Sequence, residues 1–528
     1  MKKEELLKFC SEKNILLDNF LLYNFLKYDE GIIKLFINKV KIVFKKKFIN
    51  KKLIDENQEK IKKIIEEISI LKSINLNELI FSLNIKNITE KKEVIVNKEN
   101  DFDAKIKIIS SSPCVGKSLE VKDFVTHFRN RYEILKNIMQ DDPELENLIS
   151  IGKLSNEKQK FSAIGMVSSK KMSKNKNLIL EIEDLTGSMK VVINSEKEEL
   201  MKEAEDICLD CIVGFKGVGN NEIMFVNEVI FPETRLEKRK KGPVEEYALF
   251  IGDIHYGSHN FLHKSFDKFI NYLNGKIPNT PEVDKIKYLF IVGDLITGVG
   301  NYPNQEKDLV IVDLEEQFQK IADLLDKIRK DIKIIITPGN HDCVRLMEPQ
   351  PLLNEKFAWP VYELENVIIS ENPTIVNIGK REAFEGFDVL VYHGFSFPYY
   401  ANTIPRLMLG KAMNKPENIM KYLLKNRHLS PTHGATQYFP LEKDGLLIRK
   451  APDIFVSGHT HKSGVVYHNN ILVVSVSSWE GMTPYQEKFG NTPDHCKVPM
   501  FNLKTRAVKI LDFETKQEGV KLYEEKEE

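Results

Sequence analysis

Eleven of the twelve histidines lie after residue 250, and several of them fall in short polar clusters. These are Gly252-Asp253-Ile254-His255, Gly293-Asp294, Pro338-Gly339-Asn340-His341-Asp342, His393-Gly394 and Gly458-His459-Thr460-His461. Aspartate, asparagine and histidine together form a mixed oxygen and nitrogen donor set, which suits Mn, Fe, Zn or Ni better than calcium alone. Two such ions about 3.5–4 Å apart, bridged by one carboxylate, are a general device for in-line displacement at phosphorus. Any single cluster is weak evidence, since a lone Asp-x-His or Gly-Asp is common and a histidine beside a strand is usually structural or merely exposed. Five clusters in order, each closing an apolar run, point to metal-dependent phosphoryl chemistry.

The apolar runs are the elements that must position these residues. Tyr247–Ile251 leads into Asp253, Tyr288–Val292 into Asp294 and Ile332–Ile336 into the Asn340 cluster. Val389–Tyr392 leads into His393, and Ile454–Ser457 into His459 and His461. Buried parallel strands with ligands at their carboxyl ends predict a site at the edge of an α/β sheet. The adjoining glycines let the backbone turn sharply there.

The rest of the 528 residues divides by composition and period. Residues 1–71 show helical spacing of Leu6, Phe9, Leu16, Phe20 and Phe25, and later of Ile61, Ile64, Ile65 and Ile68, so a small helical domain is expected. Its lysine runs, Lys45-Lys46-Lys47 and Lys51-Lys52, read first as solvated helix faces. Residues 72–120 read as a linker. Within it, Ser111–Ser118 superficially resembles a phosphate-binding loop, but a serine stands where that motif needs its first glycine and Pro113 lies inside it, so it is not read as a nucleotide site. A connecting helix follows over 121–150, opened by Asp123-Phe124-Val125-Thr126-His127-Phe128-Arg129-Asn130-Arg131-Tyr132.

Over 151–234 the period shortens to five β-rich runs, Ala163–Ser168, Asn177–Ile182, Met189–Ile193, Cys208–Lys216 and Ile223–Ile230. With a helix at Glu196–Glu205 between the third and fourth, this is the layout of an OB-fold barrel, a strand binder or a subunit platform. A basic connector, 235–246, contains Lys238-Arg239-Lys240-Lys241 and is a candidate phosphate contact. Residues 247–528 form the last domain.

The ordered series from Asp253 to His461 resembles the calcineurin-like metallophosphoesterase superfamily, as found in the nuclease subunit of double-strand-break repair complexes. The resemblance implies that Asp253, His255, Asp294 and His461 hold one metal. It implies that Asp294, Asn340, His393 and His459 hold the other, with Asp294 bridging. His341, oriented by Asp342, matches the histidine that stabilises or protonates the leaving oxygen. The helical start, the 123–132 helix, the barrel, Gln350-Pro351 and Tyr485-Gln486 together look like the small subunit of archaeal family D DNA polymerase.

That family implies a multidomain α/β chain with a small N-terminal helical domain, an OB-fold β-barrel and a C-terminal calcineurin-like α/β metallophosphoesterase domain. It implies a two-metal 3′–5′ exonuclease, with Mn first and Fe, Zn or Ni as alternatives. It also implies a large catalytic polymerase subunit as partner, a primer 3′ end as substrate and contact with other replication factors. The aromatic and basic stretch 395–449, with Tyr399, Tyr400, Arg406 and Lys411, is read as an insertion over the metal site that faces DNA. His433 matches no functional residue. Two other classes are a non-catalytic scaffold subunit, against which the complete ligand set argues, and a stand-alone metallophosphatase, against which the barrel argues.

Composition bounds these readings. Lys+Arg 77 against Asp+Glu 77 leaves no whole-molecule positive field, so any nucleic-acid contact must be local. The balance averages lysine-rich helices and the connector against the acidic tail Glu524–Glu528. Six sparse cysteines exclude a disulfide scaffold, and no apolar stretch suits a signal peptide or a membrane span, so a reduced, cytoplasmic, membrane-free protein is expected.

Overall fold

The computed structural model describes residues 3–72 (apart from 14, 19, 20, 23, 24, 27 and 45), 105–110, 118–488, 492–514 and 521–524. The Ser111–Lys117 stretch, most of the 72–120 span, the Tyr485 side chain and the end of the acidic tail lie outside the described residues. The chain divides into two compact units, Met1–Glu99 and Asn100–Glu528. In the first, the helices Lys3–Glu12, Glu30–Phe44, Lys51–Glu56 and Gln58–Lys72 bury Leu6, Phe36, Ile37, Ile61 and Ile65 in one apolar core.

In the second unit the strands that end in candidate ligands lie in two mixed sheets. One has seven strands and contains Tyr247–Ile251, Ile286–Val292 and Lys333–Thr337 as parallel neighbours. The other has six and contains Phe387–Tyr392 and Ile454–Ser457, also parallel to each other. The side chains alternate along each strand, as the two-residue period of a strand requires. Ala248, Phe250, Val389 and Val391 point into the layer between the sheets. Leu249 and Ile251 face the helices His263–Leu273 and Leu314–Asp326, whereas Leu390 and Tyr392 face the opposite side. Both faces of each strand are thus buried, which explains why these runs are continuously apolar. The site expected at the edge of one sheet therefore draws on the carboxyl ends of strands from two.

Within the span read as a linker, Lys105–Ser110 is a strand that pairs antiparallel with Thr374–Lys380. Ahead of the phosphoesterase part, Gln159–Met172, Leu178–Glu183, Ser188–Ile193, Ile212–Gly219 and Ile223–Ile230 close a five-stranded barrel, with the helix Glu198–Glu205 between the third and fourth strands. The fourth strand starts at Ile212 and not at Cys208, because Asp210 takes a left-handed conformation and Cys211 Sγ turns back onto the Cys208 carbonyl.

The stretch 395–449 is helical where expected; its Phe395 ring lies against His459 of the candidate site, centroids 5.6 Å apart, while its helices turn away onto the barrel. The helices Phe397–Thr403 and Pro416–Lys425 share one apolar core with the barrel and with the outer face of the six-stranded sheet. Tyr400 is fully buried there, its hydroxyl accepting from Thr432 N–H at 2.9 Å, so it offers no ring to a base. The Arg406 guanidinium is committed to Asp206 on the barrel, through two contacts of 3.1 Å. Tyr399 is half-buried and Lys411 exposed.

The connector shows the same division. Lys238 and Lys241 are exposed. Arg239 lies over the Tyr467 ring at 4.0 Å, and Lys240 sits between Glu385 and Asp453 at 2.9 and 3.0 Å. Burial of the Asp453 carboxylate requires a counter-charge, which explains why Lys240 turns inward. Among the described residues no helix is long and apolar enough to cross a membrane.

Candidate metal centre

Five of the seven candidate ligands leave their strands on a left-handed backbone. Asp253, His255, Asp294, His459 and His461 have φ of 47°, 50°, 51°, 69° and 56°. Left-handed conformations at residues other than glycine cost on the order of 1–3 kcal/mol each and tend to gather where function requires them. Two glycines make the crowding possible. A Cβ at Gly339 would stand 2.2 Å from Asp294 Oδ1, and one at Gly293 would stand 2.3 Å from His393 Nδ1.

These turns bring the side chains together. His255 Nε2 lies 3.1 Å from His461 Nε2 and 3.7 Å from Asp294 Oδ2. His461 Nε2 is 3.7 Å from Asp253 Oδ1, and the Asp253 carboxylate accepts the backbone N–H of His459 at 3.0 Å. On the other side, His393 Nε2 is 3.2 Å from Asp294 Oδ2 and 3.0 Å from Asn340 Oδ1. His393 Nδ1–H donates to the Val292 carbonyl at 3.0 Å, so Nε2 is the nitrogen turned to these oxygens and the one that would ligate an ion once its proton is lost. Donor atoms of Asp253, His255 and His461 form one group able to hold an ion; those of Asp294, His393 and His459 form a second, and those of His255, Asp294 and His341 a third.

The electrostatics fit cation binding. Burial disfavours the charged imidazole and, with neighbouring histidines, lowers the pKa of His255 far below its usual value and those of His459 and His461 to about 3. Neutral imidazole is the form that ligates metal. Burial pushes Asp253 well above the usual carboxylate range. Burial acts on Asp294 in the same direction, but the imidazoles of His393 and His341 outweigh it and hold the carboxylate well below its usual value. Burial likewise opposes charge on His393, yet Asp294 wins and raises its pKa to about 10. Without an ion, one imidazolium is therefore the counter-charge of the central carboxylate. Two imidazole nitrogens facing each other at 3.1 Å, with His255 Nδ1 buried and without a hydrogen-bond partner, are arranged for a ligand and not for each other.

His341 stands at the mouth of the centre, its ring edge-on to His255 with centroids 4.8 Å apart. Its orientation does not come from Asp342. The Asp342 carboxylate accepts from Ile296 N–H at 3.0 Å and Gly339 N–H at 2.8 Å, and so ties down the loop backbone. The His341 ring is held by its Nδ1–H donating to the Thr297 carbonyl at 2.8 Å, a carbonyl that also accepts from Asn301 and Gln305. Asn301 Nδ2 also lies 3.0 Å from His341 Nδ1, and these two contacts turn Nε2 toward substrate. Sequence reasoning missed Thr297 because a backbone acceptor has no residue type to betray it. It noted Gln486 without a role; that side-chain amide lies 2.8 Å from His461 Nδ1.

His433 lies outside the centre. Its Nδ1 is 2.7 Å from the Tyr438 hydroxyl and its ring packs against Phe124 and Phe128. A second buried cluster of titratable groups, His127, Arg131, His428 and Asp444, was also missed. Its one legible sign is the i, i+4 spacing of His127 and Arg131, which puts them on one face of the helix Val121–Met139.

Fold and site define a class, the calcineurin-like phosphoesterases, and the model of that family matches residues 248–463. This fold implies divalent-metal binding. Over 403 residues the chain is 37% identical to the DNA polymerase II small subunit of Pyrococcus furiosus, covering 74% of this chain and 64% of that protein. The corresponding protein of Methanocaldococcus jannaschii is 38% identical over 414 residues, 76% of this chain and 68% of its own length. That of Methanothermobacter thermautotrophicus is 32% identical over 458 residues, 86% of this chain and 92% of its own. The chain belongs to the family of DNA polymerase II small subunits; it spans just under two thirds of the length of its Pyrococcus furiosus relative.

Proposed function

We propose that the chain is the small subunit of a two-subunit replicative DNA polymerase and carries a two-metal 3′–5′ exonuclease that removes nucleotides from a primer end. The observation that carries this reading is the position of Asp294, a buried carboxylate that belongs to two groups of candidate donors at once, one with His255 and His341 and one with His393 and His459. Asp253, His255, Asp294 and His461 would hold one divalent ion, and Asp294, Asn340, His393 and His459 the other. Bound there, such ions, with Mn first and Fe, Zn or Ni as alternatives, supply Lewis acidity at phosphoryl oxygens and lower the pKa of water.

The chain's own residues supply the rest. The Val292 and Thr297 carbonyls hold Nδ1 of His393 and His341 and so turn Nε2 of each ring toward the centre. His341 Nε2 can then hold a proton against the departing 3′ oxygen or a phosphoryl oxygen, where charge develops. The product is a deoxynucleoside 5′-monophosphate. We infer an OB-fold for the barrel. Because helices of 395–449 cover the flank of the barrel that carries Asp206, its role as a platform for this chain's own parts is favoured over strand binding. A large polymerase subunit is the partner that family membership supports.

The test is to supply Mn²⁺ with either a mismatched primer–template or a small phosphomonoester. Release of mononucleotides from the 3′ end, lost in Asp294→Asn and His459→Ala with the fold intact, is the expected result. Hydrolysis of the monoester alone would overturn the exonuclease reading. Turnover of neither, with retained binding of a polymerase subunit, would make the chain a scaffold.

A further inference from the structure

We propose that Gln350 and Asn372 are positioning residues that fix the spacing between the Asn340 loop and His393, and so set the affinity of one of the two metal positions. This rests on the metal-centre reading above. Both side chains are fully buried, and neither reaches a metal-ligating atom. They form a relay of hydrogen bonds behind one side of the centre.

Asn372 Oδ1 accepts the backbone N–H of His393 at 2.8 Å, and Asn372 Nδ2 donates to Gln350 Oε1 at 2.7 Å. Gln350 Nε2 then points at the carbonyls of Gly339 and Arg345, each at 3.4 Å. The backbones of the two residues also pair, at 2.6 and 3.2 Å, so the relay has little freedom to slide. At one end stands Gly339, in close contact with Asp294 and one residue before Asn340. At the other stands His393, whose Nε2 meets both Asn340 Oδ1 and Asp294 Oδ2. The circuit is closed: loop, Gln350, Asn372, His393 and back to the loop through the donor atoms.

A carboxamide does this without carrying charge. Each of the two must accept on one side and donate on the other, which a carboxylate or a hydrocarbon cannot. Both are neutral, so they set distance without adding charge beside the ions. The Asp253 side is backed differently: its carboxylate accepts a single backbone N–H, that of His459, and the Gln486 amide lies 2.8 Å from His461 Nδ1. Because the relay ends on His393 and the Asn340 loop, its effect should fall chiefly on the position that those two would serve.

The test is calorimetric titration of the full chain with Mn²⁺, on wild type, Gln350→Met, Asn372→Leu and the double variant, with thermal melts of each. Asn366→Leu serves as a control, since Asn366 is also buried and donates to the Ile332 carbonyl, at the other end of its sheet. The wild type should show two binding events. Each single variant should weaken one event by about 10–100-fold and leave the other within about threefold. Because the pair acts as one relay, the double variant should lose little more than the worse single. Asn366→Leu should lower the melting temperature and change neither event. Folded variants that match a two-site wild type overturn this inference alone, as does an equal weakening of both events that Asn366→Leu reproduces. If Gln350→Met does not fold, Asn372→Ala carries the comparison. A wild type that takes up no Mn²⁺ overturns the metal-centre reading itself.

Discussion

Two buried clusters of histidine and aspartate sit in the same unit and solve the problem of buried charge in opposite ways. In one, Asp444 is met by Arg131 Nε at 2.7 Å and by the Nε2 atoms of His127 and His428 at 3.1 and 2.9 Å. Its other oxygen accepts Leu446 N–H, and Arg131 also donates to the Pro431 carbonyl. Burial pushes Asp444 up, but Arg131 and His428 outweigh it and hold it well below the usual carboxylate range; burial and Arg131 lower His428 to about 4. One carboxylate meets one permanent cation, and the cluster is complete.

The other cluster gathers Asp253, Asp294 and the histidines 255, 341, 393, 459 and 461. Among the described residues, no lysine or arginine appears as a hydrogen-bond or ion-pair partner of its two carboxylates. Residue type alone does not separate a structural cluster from a metal centre; the presence or absence of a permanent cation, an arginine or lysine, beside the carboxylate does. Left-handed backbone sharpens the distinction, because five members of the second cluster adopt it and no member of the first does.

If this contrast is right, the two clusters should fail in different currencies. The largest effect belongs to Asp294→Asn, which removes the carboxylate shared by two donor groups. Mn²⁺-dependent hydrolysis should fall by more than the roughly 100-fold upper end seen for residues behind a metal ligand. Arg131→Met should leave Asp444 buried without its cation, at about 3–5 kcal/mol of stability by urea denaturation, with Mn²⁺ titration unchanged. A loss of metal affinity there would break the distinction between the clusters.

Glu348 gives a smaller effect with a definite pH sign. It is buried behind His393, accepts from the Tyr392 hydroxyl at 3.0 Å, and burial raises its pKa to about 7. A carboxyl raised in the folded state contributes stability below its unfolded pKa, near 4, and that contribution is lost as pH rises through 7. Glu348→Gln should therefore gain on wild type by roughly 3 kcal/mol between pH 4 and pH 8, read by chemical denaturation. Smaller still, Mn²⁺ at a hundredfold excess over its Kd should stabilise the wild type by about 2.7 kcal/mol, reversed by a chelator. Arg131→Met should keep that increment and Asp294→Asn should lose it.

The five strand–ligand junctions were legible because a strand buried on both faces is apolar throughout and its end is marked by a glycine and a donor. The barrel was legible in the alternation of its strands, with boundaries displaced where Cys208–Cys211 turns back. The pairing of 105–110 escaped because Lys105-Ile106-Lys107-Ile108, a period-two run, sits in a polar span and finds its partner some 270 residues away. Distance also hid the Arg131–Asp444 pair, 313 positions apart. Tyr400 was misread because composition does not say which way a helix turns its aromatic residues. Asp342 stands beside His341 in sequence, yet the acceptor that orients the ring is a main-chain carbonyl.

The central claim is that the second cluster holds two ions on one shared carboxylate. Electron paramagnetic resonance of the full chain loaded with Mn²⁺ tests it most directly. Two Mn²⁺ ions bridged through Asp294 should give an exchange-coupled spectrum that Asp294→Asn abolishes. A spectrum of isolated Mn²⁺ in the wild type at saturating metal, or no bound Mn²⁺, would contradict the account.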